Sequence, residues 1–155
     1  RQANVRIIGR QLERAQNIAD LCNNEFGEGK INITAGADAD KAEYIKTADV
    51  VFATGAAGIE LLSAELIASA PQLKVAADVN AVPPAGIAGV DAFDSGKSIP
   101  GSISGAVGVG ALAIGNIKYQ AQSLLLKQML NSEKPVYLHF EHAFAVAREH
   151  IKSKY

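Results

Sequence analysis

Apolar residues along this chain alternate between two rhythms, and the alternation predicts an order of elements. Short apolar or β-branched runs at residues 4–9, 30–34, 49–53 and 73–78 read as strands. Between them lie stretches whose apolar positions fall three and four apart, the spacing that lines one face of a helix. Leu12, Ala15, Ile18, Ala19 and Cys22 form one such stripe; it predicts a helix ending near Phe26 and Gly27, with Gly29 assisting the turn into the second strand. Residues 38–47 predict a short helix entered through Asp38 and Asp40, whose carboxylates suit the positive end of a helix dipole. Residues 59–70 predict another, stopped by Pro71. The run at 49–53 is almost continuously apolar, as expected of a strand with both sheet faces covered. Residues 80–104 carry Pro83, Pro84, Pro100 and several glycines and predict irregular chain. An Ala/Gly-rich segment then becomes a long helix to about Leu130, and residues 141–152 form a last amphipathic helix.

Strands alternating with helices indicate α/β units on a parallel sheet. The opening stretch VRIIGRQLERAQ, residues 5–16, reads as the second strand of a nucleotide-binding fold running into its helix. The expected fold is therefore α/β, a Rossmann-like parallel sheet with flanking helices that lacks its first βα unit. Residues 1–132 would be the C-terminal part of a nucleotide-binding domain, and residues 133–155 a C-terminal helix available to pack on a further domain. The chain opens on Arg1 and almost directly on a strand, so it is expected to be part of a longer protein.

Composition narrows the function classes. With 155 residues, 48% of them hydrophobic, the chain can bury a full core. Lys and Arg total 15 against 16 Asp and Glu, so there is no basic field of the kind that drives nucleic-acid binding. Cys22 is the single cysteine, which excludes an intrachain disulfide and a Cys-rich zinc site and fits a reducing compartment. No apolar run approaches the roughly 18 residues of a membrane span, and no signal-peptide pattern precedes the first strand. The expected location is cytoplasmic, with neither nucleic acid nor membrane as a partner.

Three stretches could carry chemistry, all at strand ends, where open α/β sheets bind ligands. Gly9 and Arg10 close the first strand. At that place an acidic residue accepts from the 2′-hydroxyl of NAD, whereas an arginine pairs with the 2′-phosphate of NADP. Arg14 lies one helical turn on and can reach the same side. The alternative is a solvated arginine at a strand end. The second stretch comprises the loops at 53–58 and 78–84. Gly55 and Gly58 allow close backbone approach, Thr54 offers a hydroxyl, and Pro83 and Pro84 fix the backbone after Asn80 so that its amide can hold one orientation. The alternative is a pair of ordinary strand-to-helix turns. The third is SGAVGVGALA at 104–113, where Gly108, Gly110 and Ala113 match a G-x-G-x-x-G/A fingerprint and PVYLHFE at 135–141 could pass for the strand after it. The preceding SISGAV is a poor strand, however, and only one helix follows the supposed strand at 135–141, too little sheet for a nucleotide fold; a glycine-faced helix packed closely on a neighbour explains the same residues. His139, His142 and His150 fall near or on the last helix without carboxylates or cysteines to complete a metal-ligand set. No G-x-S-x-G elbow, Walker loop or zincin motif occurs.

In order along the chain, VFATGAAGIELL, VAADVNAVPPAGIAGVD and GAVGVGALAIGNIK match patterns of the form F-x-x-G-A-x-G-x-E-L-L, A-D-x-N-A-x-P-P-x-G-I-x-G-x-D and G-A-x-G-x-G-x-L-x-I-G-x-x-K. The chain thereby resembles the nucleotide-binding half of the NADP-dependent methylene-tetrahydromethanopterin dehydrogenases, which in some bacteria also act on methylene-tetrahydrofolate. VRIIGR resembles that family's strand ending in Gly-Arg, so the similarity runs from Val5 to about Leu130. The resemblance implies that NADP is the cofactor and that Arg10 takes its 2′-phosphate. It implies further that Ala53, Thr54, Gly55 and Ala56 lie against ribose and pyrophosphate, and that Asn80 and Ala81 lie near the nicotinamide. Lys118, in IGNIK, matches a lysine that faces the pterin; without the resemblance it reads as a lysine on a helix surface. Direct hydride transfer from the pterin's methylene carbon to the nicotinamide is implied, in one-carbon metabolism, with homo-oligomers, trimers among them. The glycine fingerprint at 108–113 is demoted to a strand-to-helix corner.

The family also carries an N-terminal substrate domain and a first strand with a glycine-rich phosphate loop, and neither precedes Arg1. In a 3-2-1-4-5-6 sheet that strand is central. The run at 49–53 must then pair elsewhere or leave two edges open. Two further function classes stay open: a non-catalytic α/β nucleotide-binding fragment, and an NADP oxidoreductase of the shikimate or glutamyl-tRNA reductase type. The latter shares the Gly-Arg strand but does not account for NAVPP or IGNIK.

Overall fold

The computed structural model describes residues 3–27 and 32–153. Its strands are β1 (Val5–Gly9), β2 (Ile33–Ala37), β3 (Val50–Ala53), β4 (Val75–Asp78), β5 (Ser95–Ser98) and β6 (Val107–Val109). Its helices are α1 (Leu12–Phe26), α2 (Lys41–Tyr44), α3 (Ala64–Ala68), α4 (Ala111–Leu130) and α5 (Phe140–Lys152). The chain is α/β, with parallel pairing throughout except at β5, and its arrangement is Rossmann-like. β1 and β2 form one parallel pair, and the other sheet runs β3-β4-β6-β5. Within the larger sheet β3, β4 and β6 lie side by side and parallel, as in one half of a doubly wound sheet. Among the described residues β1 and β3 each keep one unpaired edge, so the expectation of two open edges is met.

Several boundaries differ from the sequence pattern, each for a non-local reason. The second strand starts at Ile33, three residues later than expected; Gly29 and Lys30 lie outside the described residues. Its start is set by Asn23 of α1, whose Nδ2 donates to the Ile33 carbonyl and whose Oδ1 accepts from the Ile33 N–H, both at 2.8 Å. That clamp fixes the β1–β2 register, Val5 opposite Ile33. Replacing Asn23 with alanine removes both bonds and strands a half-buried N–H. It should lower stability by roughly 2 kcal/mol, read as a shift of the urea midpoint at unchanged slope.

The helix expected over 59–70 shrinks to α3, Ala64–Ala68. Residues 61 and 62 spend their N–H groups elsewhere: both donate to the Gly86 carbonyl, at 2.8 and 3.1 Å, and Leu62 forms a parallel bridge with Ile87. Ser63 then caps α3, its Oγ accepting from Leu66 N, and its hydrogen bond to the exposed Glu65 carboxyl lowers that pKa. Residues 38–47 are helical as expected, but as a 3₁₀ turn, α2 and a second 3₁₀ turn in succession. The region 80–104, expected to be irregular, contains β5, which pairs antiparallel with β6. Residues 135–139 form no strand.

The core lies on one face of the larger sheet. Ala53, Ala76, Ile67, Leu73, Ile87, Val90 and Ile99 cluster there, with Ile45 from the 3₁₀ turn after α2. The opposite face of β3 is uncovered: Val50 is 46% and Phe52 69% exposed. The expectation that both faces of this strand are covered is therefore corrected, because no described element packs over Phe52. In α1 the contacts with β1 and β2 rest on small residues, Ala15 and Ala19 being its buried positions. α5 packs on α4, and Phe140 at its start meets Phe26 at the end of α1 edge to face, ring centroids 5.7 Å apart. No described helix is long and apolar enough to cross a membrane.

Candidate functional site

The sequence-predicted residues gather at the carboxyl ends of β1, β3 and β4. At the tip of β1, Ile7, Ile8, Gly9, Arg10, Gln11, Arg14, Ala15 and Ile18 line an open depression of about 500 Å³. Gly9, Arg10 and Arg14 are thus brought together, as the spacing required. Arg10 makes no ion pair with any described residue, so its guanidinium is available to an external anion. Glu13, the acidic residue in the first turn of α1, does not line this depression. Gln11 caps α1 without a side-chain hydrogen bond, which leaves the first backbone N–H groups of the helix pointing toward the same end. Donor-only side chains beside free N–H groups suit a phosphate. Arg6, near the start of β1, is engaged elsewhere: its guanidinium lies over the Tyr44 ring, 4.2 Å from the centroid.

At the tip of β3, Ala53 is buried and its carbonyl accepts from Val79 N at 3.2 Å, while Thr54, Gly55 and Ala56 are exposed. A Cβ on Gly55 would fall 2.8 Å from Leu61 Cδ1, a side-chain end that would have to move aside. Gly58 has φ +74°, a backbone state that side chains rarely adopt, and sits against the Pro83 carbonyl. The two motif loops therefore touch.

At the tip of β4, the Asn80 amide is held as expected, but by its own loop. Nδ2 donates to the Pro84 carbonyl and Oδ1 accepts from Val82 N, both at 3.0 Å. One amide N–H and one lone pair remain for a ligand. Ala81 beside it is exposed. Lys118 stands apart from these loops, exposed near the middle of α4 and without an ion pair among the described residues.

Sequence reasoning missed Asp78. It is only 2% exposed and has no cationic partner among the described residues; its carboxylate accepts from Asn80 N at 2.9 Å and Ile87 N at 3.1 Å. The available signal was an aspartate closing an apolar strand, since a buried carboxylate must find donors. The histidines have a structural use: His139 Nδ1 accepts from Glu141 N and His142 Nδ1 accepts from His139 N, which caps α5. The fingerprint glycines at 108 and 110 form the β6-to-α4 corner.

Parallel strands with helical crossovers, and candidate residues gathered at the strands' carboxyl ends, define a Rossmann-like α/β chain. No protein-family model matches it. It is 41% identical over 137 residues to the NAD(P)-dependent methylenetetrahydromethanopterin dehydrogenase of Methylorubrum extorquens, a match covering 88% of this chain and 46% of that protein. It is 37% identical over 150 residues to the bifunctional protein MdtA of the same organism, covering 95% of this chain and 49% of that one. Over the part it spans, the chain is similar to the methylenetetrahydromethanopterin dehydrogenases. It spans about half the length of the curated relatives it matches. A solved L-alanine dehydrogenase aligns with 84% of this chain and 38% of its own at 17% identity, TM-score 0.45.

Proposed function

We propose that the protein is an NADP-dependent dehydrogenase that oxidises methylene-tetrahydromethanopterin, or methylene-tetrahydrofolate, to the methenyl form in one-carbon metabolism. The observation that carries this reading is the joining of Gly9, Arg10 and Arg14 around one depression at the tip of β1. The names of the relatives support a nicotinamide-dependent oxidoreductase; the arginines support the 2′-phosphorylated cofactor. In this reading Arg10, with Arg14 beside it, holds the 2′-phosphate, residues 53–56 lie along ribose and pyrophosphate, and Asn80 and Ala81 face the nicotinamide.

The cofactor supplies a hydride acceptor. The protein's task is then placement and exclusion of water, with the reacting carbons held roughly 3–3.5 Å apart. The neighbouring pterin nitrogen stabilises the developing methenyl cation through its lone pair, so no general base is required. Lys118 is assigned to the pterin, where its ammonium binds a ring carbonyl. Helical side chains lean toward the helix N-terminus, which for Lys118 is the end of α4 that abuts the 91–94 turn. The reading carries with it a cytoplasmic homo-oligomer and a contact between residues 133–155 and the substrate-binding part.

The direct test mixes the full-length protein with each methylene carrier and either NADP or NAD. Stoichiometric appearance of reduced cofactor and methenyl product is expected, more efficiently with NADP; absence of turnover on both carriers would sink the proposal. Replacing Lys118 with alanine should lower kcat by roughly 100-fold and leave the NADP dissociation constant within twofold. Unchanged kcat removes Lys118 from the site.

A further inference from the structure

Asp78 is buried, carries no ion-pair partner among the described residues, and spends each carboxylate oxygen on a different backbone N–H. Those two N–H groups belong to Asn80 and Ile87, the two ends of the loop that follows β4. A single side chain thus closes that loop at its base, while the Asn80 amide braces its interior through Pro84 and Val82. Gly86 is the residue that makes room. A Cβ on it would lie 2.8 Å from Oδ1 and 3.2 Å from Oδ2 of Asp78. The same glycine's carbonyl accepts from Leu61 N and Leu62 N, and the Leu62 carbonyl accepts from Ala88 N at 2.9 Å. A continuous set of bonds therefore runs from the Asp78 carboxylate through residues 80–87 to the chain that closes the 53–62 loop.

We infer that Asp78 is a positioning residue, which sets the loops at the tips of β3 and β4 relative to each other and so fixes where the nicotinamide ring sits. The role rests on the dehydrogenase reading above. Ordinary core packing does not ask for a carboxylate here: an apolar side chain would fill the space without burying a charge. What the carboxylate adds is two acceptors aimed at two separated donors, and only an ionised acid supplies both without a donor of its own. Asparagine keeps the shape but turns an amide NH₂ toward one of the two N–H groups, and so releases one tether.

The test uses the full-length protein with Asp78→Asn and, as a milder disturbance of the same contact, Gly86→Ala. Hydrogen exchange should accelerate at the amides of Leu61, Leu62, Asn80 and Ile87 while the amides of β1 and α1 keep their protection. Affinity for adenosine 2′,5′-bisphosphate, which reaches only the Arg10 end, should stay within twofold. Turnover should fall about 100-fold in kcat, as for a misplacement near 1 Å, with KM for the pterin changed little. A folded variant with accelerated exchange and normal kcat overturns the positioning role, and so does unaltered exchange at these amides. If Asp78→Asn fails to fold, the same criteria applied to Gly86→Ala decide it. A wild-type protein that binds NADP yet oxidises neither carrier fails at the dehydrogenase reading and takes this role with it; exchange data alone would then still report the tether.

Discussion

Replacing Arg10 with alanine is expected to weaken NADP binding by roughly 10- to 100-fold while leaving NAD binding nearly unchanged. The size follows from the loss of charge-assisted hydrogen bonds worth about 1.5–3 kcal/mol. The selectivity follows from position: Arg10 ends β1 and lines the depression with Gly9 and Arg14, and NAD has no phosphate to place there. Because Arg10 is exposed, the effect should shrink as salt is raised and screening sets in. Arg14→Ala should show a weaker effect of the same sign. Arg10→Asp should shift preference toward NAD, since a carboxylate accepts from the ribose 2′-hydroxyl instead of meeting a phosphate. Calorimetric titration of the full-length protein with both cofactors is decisive; equal losses for NADP and NAD would exclude a 2′-phosphate contact.

The place of Arg10 at the tip of β1 was legible because strand, glycine and arginine are contiguous within one βα unit. Arg14 followed from helical geometry. Asp78 was not legible, because its two donors sit two and nine residues away and only the folded loop brings both to it. Asn80 was half legible: the neighbouring prolines announced a fixed amide, but not that half of its hydrogen-bonding capacity serves the loop itself.

The elements divide along the same line. α1 and α5 came out within a residue or so of their pattern because an amphipathic stripe is a local property of the chain. The helix expected over 59–70 did not, since Ile59, Leu62 and Leu66 have helical spacing while the N–H groups of residues 61 and 62 are taken by Gly86, far along the chain. β5 is short, exposed along its length and reads SGKS, without a single apolar residue to mark it. Such a strand exists only because β6 offers it an edge.

The glycines of GVGALA sit at the corner between β6 and α4, and they yield the second large prediction. Gly110 N donates to the Asp94 carbonyl and Leu112 N to the Ala92 carbonyl, both at 2.8 Å, so the turn at 91–94 sits directly on the first turn of α4. A Cβ on Gly110 would run into the Asp91 carbonyl and the Ala92 backbone, neither of which is a flexible side-chain end. Asp94 is itself buried and accepts from Asp91 N at 2.8 Å, so the turn has little room to retreat. Gly110→Ala should therefore cost about 3 kcal/mol or more, at the upper end of overpacking, which for a domain of this size lowers Tm by roughly 6–12 °C. At Gly108 the added Cβ would meet Val90 Cγ2 at 3.0 Å and Ile99 Cγ1 at 3.5 Å, side-chain ends that can shift, so Gly108→Ala should cost less. Gly115 lies within α4 with nothing near its absent Cβ, and Gly115→Ala should stabilise by up to about 1 kcal/mol through helix propensity. Thermal unfolding of the three variants in the full-length protein should give that order, Gly110 worst and Gly115 above wild type. A phosphate-cradling loop would behave differently, with Gly110→Ala abolishing cofactor binding at little cost in Tm; that result would restore the fingerprint and displace the corner.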